Sequence, residues 1–322
     1  MRLHFVILLI TLITSEVSAN RILDAYRFDG IKNVEKILDN QLTSPKVWEK
    51  VISDLDTKFG YIEAHTTFLA CDKEKATLEL YVRDKENKFQ LQNSYKAFTG
   101  KMDGDKQREG DLKTPDGIYT LKRKIDNVDS FYGPMAFVTS YPNIYDKIQG
   151  KNGSGIWIHG LPLNQERDTF TKGCIAINNN DITCLDEKML LKSTLLMIDE
   201  KINLHHTKKE LSQILASLYQ WRYAWIYNDL ELYLSFYSTD FIHSNGKKYH
   251  RFVDYKTRVF SYNDKKTIIF SKIAIVPYPS KDKNLFQVRF YEKYKSRRST
   301  FNGNKILIVE LINNTMKIVT EK

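Results

Sequence analysis

The sequence predicts a multidomain α+β protein, and three observations predict it. Apolar residues fall at helical spacing before residue 60. Short segments rich in β-branched and aromatic residues, divided by polar turns, fill residues 61–204. A long apolar stripe at helical spacing, followed by further strand-like segments, fills residues 205–322. Of the 322 residues, 42% are hydrophobic and 12% aromatic, enough to bury a core in each part, which excludes disorder over most of the length.

Residues 1–19 read as a secretory signal peptide. Arg2 gives a positive start, Phe5 to Ile13 is apolar except for Thr11, and Val17-Ser18-Ala19 supplies small or short residues for cleavage. The run is too short to cross a bilayer as a helix, and no other stretch could. A periplasmic location is therefore expected. Export makes the three cysteines informative: Cys71, Cys174 and Cys184 are an odd number, so at least one thiol stays outside any intrachain disulfide. Such a thiol is either buried and inert or reactive and in use.

Residues 20–60 are expected to form a small helical region. Ile31, Val34, Ile37 and Leu38 mark one helix. Ser44-Pro45 then supplies an N-cap and a first-turn proline for a second, through Val47, Val51 and Leu55. Two short helices bury little alone, so they must pack on the next domain or on a second copy of themselves; a homodimer contact is expected here.

Residues 61–204 read as a mainly-β domain. Strands are expected at Thr66 to Cys71, Thr77 to Val82, Phe89 to Phe98, Ile118 to Leu121, Ala136 to Thr139, Gly155 to His159, Cys174 to Ile177 and Leu195 to Ile198. Thr114-Pro115-Asp116-Gly117 is a turn signal. One helix is expected from Asn179, capped by Asn180 and Asp181 and burying Cys184.

Residues 205–322 open with a helix or helix pair over 207–235, through Leu211, Ile214, Leu215, Leu218, Trp221, Trp225 and Tyr233. Strands follow at Tyr255 to Tyr262, Thr267 to Val276, Leu285 to Lys295 and Lys305 to Ile312. Residues 207–322 carry 21 Lys and Arg against 10 Asp and Glu, a net charge of +11, while residues 1–206 carry a net of −1. This split fits either a separate module that meets an anionic partner or a solvated basic surface that keeps the protein soluble. Outside the cytoplasm that partner is an acidic wall polymer or a membrane surface, and nucleic acid is not expected.

The chemistry-bearing segments are Ile156-Trp157-Ile158-His159-Gly160 and Thr171-Lys172-Gly173-Cys174-Ile175-Ala176. A thiol is mostly protonated at neutral pH, so an adjacent imidazole raises its reactivity. A cysteine after glycine lets the backbone approach a substrate, and the N–H groups of Gly173 and Cys174 could point at an oxyanion. Taken alone, one His and one Cys fifteen residues apart also fits a structural histidine. No cofactor is expected, and no metal either: His205-His206 has no further ligand at coordinating spacing.

These segments resemble the active-site motif of the YkuD family of L,D-transpeptidases: His-Gly, some fifteen residues, then Ser/Thr-x-Gly-Cys. Lys113-Thr114-Pro115-Asp116-Gly117-Ile118-Tyr119 resembles the family's Thr-Pro-x-Gly-x-Tyr stretch, and the likeness covers about residues 65–200. It implies a β-sandwich-like catalytic domain acting on peptidoglycan stem peptides. Cys174 would be the nucleophile and His159 its base. Gly173 and Cys174 would form the oxyanion hole, with Trp157, Gly160, Thr171, Lys172 and Ala176 lining the site. Lys172 and Ala176 stand where the usual motif has His and Arg, which removes a bidentate donor. That variant is similar to the cell-shape-determining L,D-carboxypeptidases of helical Gram-negative bacteria, and the last third resembles an NTF2-like fold. The resemblance implies that water resolves the thioester, shortening a tetrapeptide stem to a tripeptide. An L,D-transpeptidase and a non-catalytic wall-binding scaffold are the competing readings.

Overall fold

The computed structural model describes residues 21–163 and 170–322; the expected signal peptide lies outside them. Three helices open the described chain: α1 (residues 21–29), α2 (Ile31–Leu42) and α3 (Pro45–Val51). Proline holds the first position of α3, and Ser44 sits at the N-cap in extended backbone without a side-chain cap bond. The helix stops four residues before Leu55, where the Ser53 hydroxyl bonds back to the Lys50 carbonyl.

The middle domain is one eight-stranded sheet with the order β4-β3-β2-β9-β5-β6-β7-β8. Its strands are β2 (Thr67–Asp72), β3 (Thr77–Arg83), β4 (Phe89–Lys96), β5 (Gly117–Ile125), β6 (Ala136–Thr139), β7 (Trp157–His159), β8 (Ile175–Ala176) and β9 (Thr194–Asp199). The β2–β9 and β7–β8 pairs are parallel and the others antiparallel. The sheet curls so that Leu69, Leu80, Tyr119, Phe137, Ile158, Ile175 and Ile198 share one core. Helix α4 (Ile144–Ile148) flanks it, and α5 (Asn179–Lys188) closes it with Ile182 and Leu185. Asn178, not Asn180 or Asp181, is the N-cap of α5. Cys184 lies in this helix half-buried rather than buried, beside the Tyr95 hydroxyl.

The C-terminal domain begins with α6 (Lys208–Ile226), α7 (Leu230–Ser235) and α8 (Tyr249–Ser261). Residues 255–262, expected as a strand, are thus helical over most of their length. Phe252, Lys256 and Phe260 recur every four residues and are buried, so a helical stripe wins over β-propensity. Four strands follow: β10 (Thr267–Pro277), β11 (Leu285–Lys295), β12 (Thr300–Ile312) and β13 (Thr315–Glu321). The last was not expected. Its turn is Asn313-Asn314, both left-handed, the two-residue hairpin geometry. Trp221, Tyr233 and Phe241 are wholly buried in the core beneath the helices.

Three links bind the parts together. Trp48 and Ile52 of the helical region sit in the C-terminal core, and Asp39 pairs with Arg222 at 2.9 Å. These helices therefore pack on the last domain in sequence, not the next one. Strand β1 (Tyr61–Ile62), counted with the middle domain by sequence, instead extends the C-terminal sheet in the order β1-β10-β11-β12-β13. Only glycine fits before it: a Cβ on Gly60 would lie 2.0 Å from the Ile275 carbonyl oxygen. Between the domains, Phe59, Phe68, Ile118, Leu195 and Met197 form one core with Ala274, Val276, Tyr278, Leu285 and Ile308. Each such burial is worth about 1.5–3 kcal/mol, so the domains are fused rather than tethered.

Candidate active site

Strands β7 and β8 place the two candidate catalytic side chains. In their parallel register Ile158 faces Ile175 and His159 faces Ala176. The isoleucines point into the core. Alternation carries His159 to the other face, and Cys174, one residue before β8, to that same face. The two motifs thus meet as diagonal neighbours across one strand pair.

His159 is buried, and its Nδ1 lies 2.6 Å from the Gly160 carbonyl oxygen. A carbonyl only accepts, so Nδ1 carries a proton, and in the neutral imidazole Nε2 is then the nitrogen with the lone pair. Tyr132 stands edge-on to the imidazole at 5.0 Å and tilts against Trp157 at 5.2 Å. Asp129 fixes that aromatic wall by accepting from the Phe131 N–H at the head of its short turn.

Cys174 is half-buried, and its thiol donates to the Gly155 carbonyl at 3.3 Å, as the neutral form must. The backbone before it is closely held. The Thr171 hydroxyl donates to the Cys174 carbonyl at 2.7 Å and accepts from the Gly173 N–H at 2.9 Å. Gly173 has φ +130°, and a Cβ there would lie 2.7 Å from the Lys113 carbonyl oxygen. Glycine is required for both reasons. Cys71, by contrast, is buried in β2 and its thiol is pushed up to about 12 by burial, so it is inert.

Several expected roles change. The Gly173 N–H is committed to Thr171, so Gly173 shapes the turn rather than supplying an oxyanion donor. Thr171 is buried and works on the turn, not on a ligand. Ala176 is wholly enclosed and exchanges both backbone hydrogen bonds with Phe98, so it offers no surface to substrate. Gly160 is also buried. A Cβ on it would meet Asn179 Oδ1 at 2.3 Å, and its service is to hold His159. Trp157 is partly exposed and packs against Tyr132, and Lys172 is exposed. Sequence reasoning missed Thr114, Tyr132, Gly155 and Asn179. Only Thr114 carried a signal, in the Thr-Pro-Asp-Gly turn.

Among the described residues, no group of three or more His, Cys, Asp or Glu side chains is arranged to hold a metal ion, and no helix is long and apolar enough to cross a membrane. The C-terminal domain encloses a cavity of about 520 Å³ bordered by Trp225, Lys256, Glu292, Tyr294, Lys305 and Glu321. Burial raises Glu292 to about 7 and lowers Lys256 to about 8.

Comparison with known proteins follows this layout. Residues 66–196 match the family model of the L,D-transpeptidase catalytic domain, YkuD, and residues 213–322 match that of the Cds6 C-terminal NTF2-like domain. YafK of Escherichia coli (strain K12), named among the L,D-transpeptidases, is 39% identical over 112 residues, which are 34% of this chain. The match spans 42% of the length of that curated relative. The crystal structure of the helical cell shape determining protein Pgp2 from Campylobacter jejuni is 37% identical, with a TM-score of 0.81, covering 87% of this chain and 99% of that one. Bd1075 from Bdellovibrio bacteriovorus is 28% identical with a TM-score of 0.66, covering 83% and 97%. With both domains matched and Pgp2 aligned over nearly its whole length, the chain belongs to the YkuD family of L,D-transpeptidases and carries an NTF2-like C-terminal domain.

Proposed function

We propose that this chain is a periplasmic cysteine L,D-carboxypeptidase. It removes the terminal D-alanine from tetrapeptide stems of peptidoglycan, and through that trimming it affects cell shape. The observation that carries the reading is the placement of His159 and Cys174 on one face of the β7–β8 pair, with His159 Nδ1 held by the Gly160 carbonyl.

In this reading Nε2 of His159 takes the thiol proton and the sulfur attacks the carbonyl before the terminal residue. The tetrahedral intermediate collapses, the C–N bond breaks, and the imidazolium gives its proton to the leaving amine. Water, deprotonated by the same imidazole, then attacks the thioester and restores the thiol. The trim of the site supports hydrolysis. Ala176 stands where the usual motif has Arg, and its wholly enclosed methyl leaves no fork to clamp an incoming carboxylate.

Mature protein incubated with muropeptides, read by mass spectrometry, tests this. Tripeptide should appear with wild type and not with Cys174→Ala. Cross-linked dimers would move the reading to transpeptidation. Unchanged cellular and in vitro effects of Cys174→Ala would leave a binding scaffold. We also propose that the apolar face of α1 and α2, where Leu23, Phe28 and Ile31 are exposed, seats a second copy. A monomer in light scattering would remove that contact. The basic C-terminal domain would hold the anionic wall polymer while the catalytic turn works on it.

A further inference from the structure

Thr114 lies outside both catalytic motifs, yet its hydroxyl is fully used at the nucleophile turn. It is buried, donates to the Gly173 carbonyl at 3.0 Å, and accepts from the Gly100 N–H at 2.8 Å. Gly100 is itself fastened to the turn: it bridges Thr171, the Lys101 N–H reaches the Thr171 carbonyl at 3.0 Å, and the Thr171 N–H reaches Thr99 at 2.7 Å. Glycines permit this closeness, since a Cβ on Gly100 would lie 2.3 Å from the Leu112 carbonyl oxygen.

The atom that Thr114 grips matters. The Gly173 carbonyl and the Cys174 N–H belong to one peptide unit. That unit is planar and trans, so its C=O and N–H point in opposite directions. A hydroxyl that fixes the carbonyl therefore fixes where the N–H points, away from Thr114. The other end of the turn is held independently, by the Thr171 hydroxyl on the Cys174 carbonyl. The two threonines clamp the peptide planes on either side of the nucleophile.

We propose that Thr114 is a positioning residue that aims the Cys174 N–H at the oxyanion formed when the Cys174 sulfur adds to a carbonyl. The proposal rests on Cys174 being the nucleophile, but not on which peptide it attacks. A preorganised donor costs no reorganisation in the transition state, and losing one lowers acyl transfer by about 10²–10³-fold. A donor that is merely misdirected should cost about 10–100-fold.

The test compares two reactions of Cys174. Acylation by p-nitrophenyl acetate passes through a tetrahedral oxyanion, whereas alkylation by iodoacetamide does not. Thr114→Val keeps the shape and removes the hydroxyl. It should slow acylation about 10–100-fold, leave alkylation near the wild-type rate, and lower kcat on muropeptides with little change in KM. Thr114→Ser should restore acylation. Wild-type acylation by Thr114→Val would overturn the proposal. So would a parallel fall in both reactions that Thr114→Ser fails to repair, because Thr114 would then hold the turn or the fold rather than aim a donor. Wild type that is acylated by the ester but leaves muropeptides intact would sink the substrate reading alone.

Discussion

Gln287 of β11 reaches across the domain seam and donates its Nε2 to the carbonyl of Ile118 in β5, 3.2 Å away. Asn143 shares that carbonyl at 3.2 Å and also donates to the Tyr278 hydroxyl at 2.8 Å. Gln287→Ala should destabilise the whole protein by about 1–2 kcal/mol, since a buried bond is lost and water cannot replace it. Urea denaturation should show a lower midpoint with an unchanged slope.

Thiol reactivity should rank the cysteines. Iodoacetamide should modify Cys174 ahead of Cys184, and Cys71 should react only after unfolding, because it is buried with its thiol raised to about 12. Peptide mapping after a short exposure reads the order. Early labelling of Cys71 would contradict the packing of β2.

Gly160→Ala should cripple the site. The added methyl would collide with Asn179 Oδ1 and with Pro134 Cδ, 2.8 Å away, and would push the carbonyl that holds His159. We expect turnover to fall at least tenfold with about 2 kcal/mol of lost stability. Wild-type turnover would show that the imidazole is held some other way.

The C-terminal domain should carry a pH-dependent stability term. Burial raises Glu292 from 4.5 to about 7, so the folded chain keeps a proton that the unfolded chain has lost. Stability from this group is therefore present below pH 4.5 and is lost as pH rises toward 7, on the order of 3 kcal/mol in all. His65, lowered to about 4, works in the opposite direction, so the measurement is a difference. Glu292→Gln should make the slope of stability against pH more positive than that of wild type between pH 5 and 7. Parallel profiles would show that Glu292 does not hold this proton.

Much of the architecture was legible in the residues. Ala136 to Thr139 is a strand with the expected limits, and Leu211 to Trp225 forms the expected long helix. Legibility failed where tertiary packing outweighs local preference. Tyr255 to Ser261 is rich in residues that favour strands, yet Phe252, Lys256 and Phe260 must share one buried stripe. Strand β13 was announced by Asn313-Asn314, a turn signal passed over. At the site, the chemically distinctive residues were visible because few side chains can be nucleophile or base. The parts played by Thr114, Gly155 and Tyr132 were not. A hydroxyl, a carbonyl and a ring become specific only when folding brings distant segments together.

The seam between the domains has one more implication. Because Phe59, Phe68 and Ile118 interleave with Ala274, Tyr278 and Leu285, one buried core joins the domain of the candidate catalytic turn to the C-terminal domain and its cavity. A close-packed core of this kind resists any change in the interval between those two openings, as the frame of a caliper does. A polymer engaging both at once would be selected by the repeat length between its recognised groups, and a mismatched spacing could not be accommodated by bending the protein.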